Sequence, residues 1–409
     1  MDFEDTSEEA EFRTQVSAWL EENAGNFDEG RDRSRPLRGR EVIERSKAWQ
    51  KIKADAGYAA ITWPREYGGM GGTSMQNVIY GQEEAKFNMP GNLFLIGIGM
   101  AMPTLMVHGT PEQRERFIRP ALYGEEVWCQ LFSEPGAGSD LANVRTRAEK
   151  DGDEWVVNGQ KIWTSGAHYS DWGILVARTD PTKPKHKGLS YFLVDMKTPG
   201  IEAKPITQIS GAHHFNEVYL ENVRIPDAMR VGAEGDGWQV ALTTLMNERQ
   251  AVGNMGSSVG VEELITLARQ TELGDGPAIR NMAVREKIAD WHIQAEGLKY
   301  IRFMSLTALS RGETPSPRAS ISKAVNAPRK QDLSAFAMEL MDLGGIIRDR
   351  DLSPFRSRFQ EEWIAAPGIR IAGGTDEIMR NIIAERVLGL PGDVRVDKDT
   401  PFNEQPTGL

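Results

Sequence analysis

The sequence has little cysteine, no excess of positive charge and no long apolar run. Its single cysteine, Cys129, excludes a disulfide framework within the chain and is typical of a reducing compartment. The net charge of -11 excludes nucleic acid as the main partner, because no broad basic surface can collect phosphates. The acidic N-terminus lacks the basic start and apolar core of a secretory signal. These absences predict a cytoplasmic protein that does not bind nucleic acid.

The longest apolar stretch, Leu93–Val107, is interrupted by Gly97, Gly99 and Pro103 and is too short to cross a bilayer. We therefore expect a buried helical segment there and no membrane span. The chain has 409 residues, of which 40% are hydrophobic and 26% are charged. That length and composition suit a folded protein of two or three structural units.

The pattern of apolar residues changes twice along the chain and predicts three domains. Residues 1–125 have helical periodicity, and capping boxes at Thr6 with Glu9 and at Thr110 with Gln113 mark two helix starts. Residues 126–235 resemble a series of short strands, and residues 236–409 return to the helical period. This order of helices, strands and helices predicts the α+β class, with a β domain between two helical domains.

Strand candidates in the middle region are Trp172–Ala177, Leu189–Val194 and Phe215–Val223, with an exposed loop at Pro181–Lys187. Asn158-Gly159 separates two further apolar runs. Because Asn-Gly favours the turn of a two-residue hairpin, we expect the chain to reverse there.

Two groups of glycines raise the possibility of a dinucleotide fold, but neither completes it. Gly68–Gly72 and Gly97–Gly99 lack the full glycine spacing, the strand-turn-helix context and the acidic residue about 20 positions later. Turns and helix ends are the expected roles of these glycines. The adjacent pair His213-His214 lacks the i, i+4 spacing of a metal site, and no cysteine cluster exists.

The segment from Phe132 to Asp140, Phe-Ser-Glu-Pro-Gly-Ala-Gly-Ser-Asp, is the richest in candidate binding groups. A glycine-rich turn with hydroxyl side chains can present backbone N–H groups to a phosphate or a flavin ring. In Lys161–Gly166, Trp163 could lie against a planar ring and Ser165 could donate a hydrogen bond to it. The same residues also suit an ordinary turn and a core tryptophan, and the residues alone favour that reading.

A second candidate is the start of a late helix. Thr375 is a good N-cap, and the helix start after it could hold an anionic or polar group. Asp376 and Glu377 already complement the helix dipole, so a capped helix without a ligand explains the segment equally well.

Glu248 is a third candidate, because it shares a helix face with apolar residues. Ala241, Leu245, Val252 and Met255 lie on that face at helical spacing. A carboxylate on an apolar stripe is unfavourable unless it is paired or functional. Desolvation raises carboxylate pKa values toward the range of a general base. An ion pair or a place at the helix edge explains the residue as well as a catalytic role does.

Taken together, the Ser133–Asp140 motif, the Asn158–Trp163 segment and Arg370–Pro391 resemble the acyl-CoA dehydrogenase family over nearly the whole chain. The resemblance implies a helical N-terminal domain, a β-barrel-like middle domain and a C-terminal four-helix bundle. It also implies FAD as cofactor, an acyl-CoA thioester as substrate, and an electron-transferring flavoprotein as acceptor near Trp163. The implied flavin contacts are Phe132, Ser133, Gly138, Ser139, Trp163, Thr164, Ser165, Thr375 and Glu377.

The resemblance also suggests where the catalytic base lies. Many family members carry a glutamate immediately before a Gly-Thr pair, where this chain has Gly373. One branch, which includes isovaleryl-CoA and long-chain dehydrogenases, carries its base at the position of Glu248. That branch implies that Glu248 removes the α-proton while a hydride passes to flavin N5, giving a trans-2-enoyl-CoA. Ser139, Arg249 and Gly373 are then substrate contacts, and the small residue at 373 favours long, branched or bulky acyl groups.

One family feature is missing. An Arg-x-x-Phe-Gly motif, which often reaches the flavin of a neighbouring subunit, is absent from Thr266–Arg285. Arg269, Arg280 and Arg285 are possible substitutes. The expected assembly is a homodimer or homotetramer. Alternatives are a partner subunit of a heteromeric dehydrogenase that binds little flavin, and a flavin monooxygenase on the same fold.

Overall fold

A computed structural model of the chain describes residues 5–27, 39–87, 89–90, 92–252, 259–311, 319–392, 394 and 397–405. These residues form two compact units. Of the described residues, those within 5–207, 213–251 and 397–405 belong to the first unit, and those within 208–212 and 252–394 belong to the second.

The first unit contains six α-helices among its described residues: α1 (Ser7–Asn23), α2 (Arg40–Asp55), α3 (Ser74–Glu84), α4 (Met102–His108), α5 (Pro111–Leu122) and α6 (Gly237–Val252). Both predicted capping boxes are confirmed, since Thr6 and Thr110 each exchange hydrogen bonds with the residue three positions later. The buried helical segment predicted at Leu93–Val107 is confirmed as well. Gly97–Ala101 forms a π-helical turn that leads into α4, so Gly97 and Gly99 lie inside a helix rather than at its end.

The same unit holds an eight-stranded sheet within its described part. Its strands are β1 (Trp128–Leu131), β2 (Arg147–Asp151), β3 (Glu154–Ser165), β4 (Trp172–Arg178), β5 (Leu189–Asp195), β6 (Ile201–Pro205), β7 (Phe215–Pro226) and β8 (Arg230–Val231). They follow the order β6-β7-β3-β2-β4-β5-β8, and β1 pairs in parallel with β4. The three predicted strands are confirmed as β4, β5 and β7. The predicted α+β class is also confirmed.

The hairpin predicted at Asn158-Gly159 is wrong. Both residues lie inside β3, and the chain reverses earlier, between Asp151 and Glu154, where β2 pairs with β3. Glycine is needed at position 159 because Thr146 packs closely against its backbone: a Cβ there would lie 2.4 Å from Oγ1 of Thr146. A bulge follows Val157 at this point. The missing side chain therefore serves strand packing and not a turn.

One face of the sheet packs against α-helices and places α6 beside β1. Val240 and Ala241 of α6 are buried in one cluster with Trp128 and Phe132. The opposite face of the sheet has its own buried cluster, which includes Cys129 and Leu131. Alternate residues of β1 therefore face different layers, and Gln130 lies on the face that α6 covers.

The second unit is helical. Its helices are α7 (Val261–Gln270), α8 (Met282–Ser310), α9 (Ala319–Leu340), α10 (Arg358–Ile371) and α11 (Asp376–Ile382), with a short pair, β9 (Glu272–Leu273) and β10 (Gly276–Pro277). A buried cluster that includes Leu264, Trp291, Leu333 and Phe359 joins α7, α8, α9 and α10. Over the described residues of the whole chain, no helix is long and apolar enough to span a bilayer. No group of metal-ligating side chains occurs among those residues either.

Candidate active site

The turn that follows β1 presents open backbone. Glu134 and Ala137 exchange backbone hydrogen bonds of 2.9 and 3.0 Å, which close the turn around Pro135 and Gly136. Among the described residues, and apart from the two chain neighbours of each glycine, no atom lies within 4 Å of the position that a Cβ would take at Gly136 or Gly138. Ser139 is exposed, and Ser133 is half-buried. A planar ligand can therefore approach the main chain of the turn without displacing protein atoms.

A buried ion pair holds this turn in place. The Lys161 side chain is fully buried, and its Nζ donates to Oε1 of Glu134 at 2.8 Å. Lys161 Nζ also donates to the carbonyls of Phe132 at 3.0 Å and Val176 at 2.8 Å. Burial raises the pKa of Glu134, but the charge and hydrogen bond of Lys161 outweigh it and leave the pKa below its ordinary value. The pair joins the ends of β1, β3 and β4 at the candidate site.

The other oxygen of Glu134 extends this network to the strand that follows the turn. Oε2 accepts from the backbone N–H of Arg145 at 2.6 Å, and Oε1 accepts from that of Thr146 at 2.9 Å. Buried carboxylates are tolerated when their acceptor sites are filled in this way. Sequence reasoning missed both members of the pair, because a lysine in a strand ordinarily indicates an exposed position.

Trp163 has a strained backbone at an exposed site. Its φ is +59°, and the register between β3 and β7 shifts between Lys161 and Thr164. Its ring is 56% exposed and meets the edge of Phe215 at 5.8 Å between centroids. A left-handed conformation at a bulky residue costs about 1–3 kcal/mol and concentrates at functional positions. The bulge directs the indole outward, where it can stack on a ligand.

The Trp163 bulge lies next to the turn, since the N–H of Ile162 donates to the carbonyl of Ser133 at 2.9 Å. Ser165 is exposed beside Trp163. Thr164 points inward, and its buried hydroxyl has no hydrogen-bond partner among the described residues. Phe132 is also buried, with its ring against Tyr191. Of these predicted contacts, Ser139, Trp163 and Ser165 offer side chains, whereas Phe132 can offer only its backbone.

Glu248 lies on α6 beside the strand that leads into the turn. It is half-buried, and the side-chain amide of Gln130 lies 3.5 Å from its Oε2. Gln130 is two residues before Phe132 on the face of β1 that α6 covers. Within the predicted stripe, Ala241 is buried and Leu245 is partly buried. The side chains of Arg249 and Val252, and all of Met255, lie outside the described residues.

A chain of buried hydroxyl groups fixes α6 one turn before Glu248. Thr244 Oγ1 lies 2.9 Å from Oγ1 of Thr104 on α4 and 3.1 Å from the hydroxyl of Tyr191 on β5. Thr244 and Thr104 are both fully buried. This hydroxyl triad of Thr104, Tyr191 and Thr244 therefore connects α6 to α4 and β5 one turn before Glu248.

Thr244→Val is expected to lower the free energy of unfolding by about 1–3 kcal/mol, because it leaves the buried hydroxyl of Tyr191 without this partner and leaves Thr104 with the carbonyl of Met100 alone. Thr244→Ser, which keeps the hydroxyl and removes only the methyl group, is the matched variant and should lose less. Urea denaturation followed by tryptophan fluorescence measures both. Equal stability of the two variants would show that the triad does not stabilise α6.

The segment around Thr375 lies in the second unit. Thr375 caps α11 by accepting from the N–H of Ile378 at 3.2 Å. Glu377 is exposed, and the N–H groups of the helix start and the Thr375 side chain lower its pKa. Gly373 has φ +66° with no atom near its Cβ position, so the backbone rather than space favours glycine there. The Lys323 ammonium holds this turn through the carbonyls of Arg370 and Gly374.

Comparison with known proteins identifies the class that this fold and site define. The chain matches the N-terminal, middle and C-terminal domains of acyl-CoA dehydrogenase at residues 6–125, 129–223 and 235–388. It is 39% identical to the acyl-CoA dehydrogenase IpdE1 of Mycobacterium tuberculosis over 94% of this chain and 98% of that protein. The chain therefore belongs to the acyl-CoA dehydrogenase family, whose members are flavoprotein oxidoreductases.

Two solved structures share the fold along nearly the whole chain. One is the Tcur3481-Tcur3483 steroid ACAD, which is 26% identical with a TM-score of 0.78 and covers 96% of this chain and 100% of that one. The other is the ChsE4-ChsE5 complex from Mycobacterium tuberculosis, which is 29% identical with a TM-score of 0.77. That match covers 96% of this chain and 100% of the other. These similarities confirm the predicted fold and an enzyme of the acyl-CoA dehydrogenase type.

Proposed function

We propose that this chain dehydrogenates an acyl-CoA thioester to the trans-2-enoyl-CoA, with Glu248 as the base that removes the α-proton. One observation carries the proposal: the half-buried Glu248 contacts Gln130. Gln130 lies two residues before the start of the flavin-type turn, which is the segment from Phe132 to Asp140. Two residues of a strand span about 6–7 Å, which puts a carboxylate within reach of a substrate held at that turn. The absence of an acid at Gly373 supports a base elsewhere in the chain.

The residues of the turn and the bulge fit FAD. The open main chain at Gly136 and Gly138 admits a flat ring, and exposed Trp163 and Ser165 provide a stacking face and a hydroxyl beside it. We further propose Phe132, Ser133, Gly138 and Ser139 as flavin contacts through backbone and hydroxyl groups. Thr164 is proposed to contribute through its backbone, because its hydroxyl faces inward. By the resemblance to the family, Thr375 and Glu377 are proposed as flavin contacts too.

In the proposed reaction, the chain supplies positioning and proton transfer. Gln130 orients the Glu248 carboxylate, and the triad at Thr244 fixes the helix that carries it. Glu248 accepts the α-proton, and the electron pair of that C–H bond forms the new double bond. Bound FAD supplies a hydride acceptor at N5 for the hydrogen that leaves the β-carbon. Hydrogen bonds to the thioester carbonyl, to which Ser139 is proposed to contribute, stabilise the enolate-like charge.

The proposed substrates carry long, branched or bulky acyl groups. Gly373 has no side chain where many family members carry glutamate, and one structurally similar protein is described as a steroid ACAD. We propose Arg249 and Gly373 as substrate contacts.

An anaerobic titration tests this function. Purified protein should be yellow, and its flavin absorbance should bleach on addition of acyl-CoA. We expect isovaleryl-CoA, palmitoyl-CoA or a steroid side-chain CoA to bleach it faster than butyryl-CoA, measured by stopped-flow absorbance. Equal or faster reduction by butyryl-CoA would reject the substrate class, and a yellow protein that no acyl-CoA bleaches would reject the activity.

Assembly into an oligomer is also proposed, with an electron-transferring flavoprotein as acceptor. In the second unit, α8 exposes Met282, Ile293 and Tyr300, which we propose as part of the surface between subunits. Arg269, Arg280 and Arg285 are all exposed and could reach a neighbouring subunit. We also propose that the chain consists of three domains, at residues 1–125, 126–235 and 236–409.

A second candidate is a partner subunit of a heteromeric dehydrogenase. It is favoured by the similarity to the two-component ChsE4-ChsE5 complex and by the missing Arg-x-x-Phe-Gly motif. A colourless protein that becomes yellow and active only when expressed together with a second family member would support this alternative over a homodimer or homotetramer.

A further inference from the structure

The C-terminal segment 397–405 packs on the sheet-containing unit, beyond residue 388, where the match to the family's C-terminal domain ends. Pro401 forms an antiparallel bridge with Pro184. The N–H of Phe402 donates to the carbonyl of Lys183 at 2.9 Å, and that of Asn403 donates to Pro181 at 3.0 Å. The segment is therefore hydrogen-bonded to the loop between β4 and β5.

Phe402 covers a buried arginine that holds the chain just after the flavin-type turn. The guanidinium of Arg178 donates to the carbonyls of Ala142 at 2.6 Å and Val144 at 3.3 Å. The ring of Phe402 lies 3.7 Å from the centre of that guanidinium. Burial lowers the pKa of Arg178 to about 10, so the group is strongly desolvated. Desolvated cation–π contacts are the strong ones.

A second cation, Lys185, also links the flavin-type turn to the C-terminal segment. Lys185 Nζ donates to Asp140 at 2.9 Å and to Asp397 at 2.6 Å, with only 11% of its side chain exposed. Asp140 directly follows Ser139. The hydrogen bond from Lys185 lowers the pKa of Asp397 and keeps it ionised. Arg178 and Lys185, which both contact residues 140–144, are thus both also contacted by a residue of the C-terminal segment.

We propose that Asp397 and Phe402 are positioning residues that act through Lys185 and Arg178 to fix residues 139–144 for binding of the flavin. The inference rests on the proposed function for the identity of the ligand, FAD. The restraint of residues 139–144 itself does not depend on any ligand. Because the two contacts lie on opposite ends of the 140–144 segment, loss of either one should loosen it.

Hydrogen–deuterium exchange tests the restraint in flavin-free full-length protein. In Phe402→Ala, the amides of Asn143 and Val144, which donate to the carbonyls of Asp140 and Leu141, should exchange about 30-fold faster, the factor that corresponds to one desolvated cation–π contact. Phe402→Tyr, which keeps a ring over the guanidinium, should restore the slow exchange. Asp397→Asn should also speed exchange, while Asp399→Asn, an exposed carboxylate two residues later, should not.

Flavin titration tests the connection to the cofactor. The dissociation constant for FAD, read from the quenching of flavin fluorescence, should rise in Phe402→Ala and return in Phe402→Tyr. Unchanged exchange at Asn143 and Val144 in Phe402→Ala overturns the restraint. Faster exchange with an unchanged dissociation constant overturns its role in flavin binding. If the unmodified chain binds no FAD, the proposed function fails, and the exchange experiment still decides the restraint.

Discussion

Glu248→Gln is expected to slow anaerobic reduction of the flavin by acyl-CoA by at least about 10⁴-fold, at the upper end of what removal of a general base does. The α-hydrogen of a thioester is a weak acid, so its removal depends on a positioned base. The amide of glutamine has nearly the shape of the carboxylate and can still accept from Gln130, which lies 3.5 Å away. The substitution therefore removes proton acceptance and little else.

Glu234→Gln is the matched control, because Glu234 is an exposed carboxylate just before α6. Both variants should bind FAD and unfold at the temperature of the unmodified protein. Stopped-flow bleaching with the best substrate measures the rate in each. Bleaching of Glu248→Gln within tenfold of the unmodified protein would reject Glu248 as the base, whereas the same result is expected of Glu234→Gln.

The elements that local patterns specify could be predicted from the sequence. The capping box at Thr6 and the strand at Phe215 depend on residues a few positions apart, and both occur as predicted. The order of helical and strand periods predicted the α+β class for the same reason. The turn at Ser133–Asp140 could also be located, since its glycines and hydroxyls are adjacent in the chain.

The parts of the site that were missed depend on contacts between distant residues. Lys161 is buried because acceptors from Phe132, Glu134 and Val176 converge on it, between 15 and 29 positions away. The local pattern predicts a turn at Gly159 because it does not show the close approach of Thr146. Trp163 was singled out as an aromatic, but its positive φ arises from the bulge against β7.

Lys161→Met is expected to destabilise the sheet-containing unit by about 3–5 kcal/mol, the range seen when one partner of a buried ion pair is removed. Methionine fills much of the lysine volume, but Glu134 then keeps a buried charge without its cation. The carbonyls of Phe132 and Val176 also lose the hydrogen bond that Lys161 donates to each. The same change should weaken flavin binding, because the turn that contains Glu134 would lose its ion pair with Lys161.

The double variant Lys161→Met/Glu134→Gln separates loss of charge balance from loss of packing. It removes both charges, and the glutamine oxygen can still accept from the N–H groups of Arg145 and Thr146. Most of the lost stability should therefore return, since neutral replacements of buried ion pairs are often well tolerated. Lys187→Met, at an exposed lysine in the loop after β4, is the control and should be nearly neutral. Urea unfolding measures all of these variants. A double variant no more stable than Lys161→Met would mean that Lys161 acts through its carbonyl contacts and not through its charge.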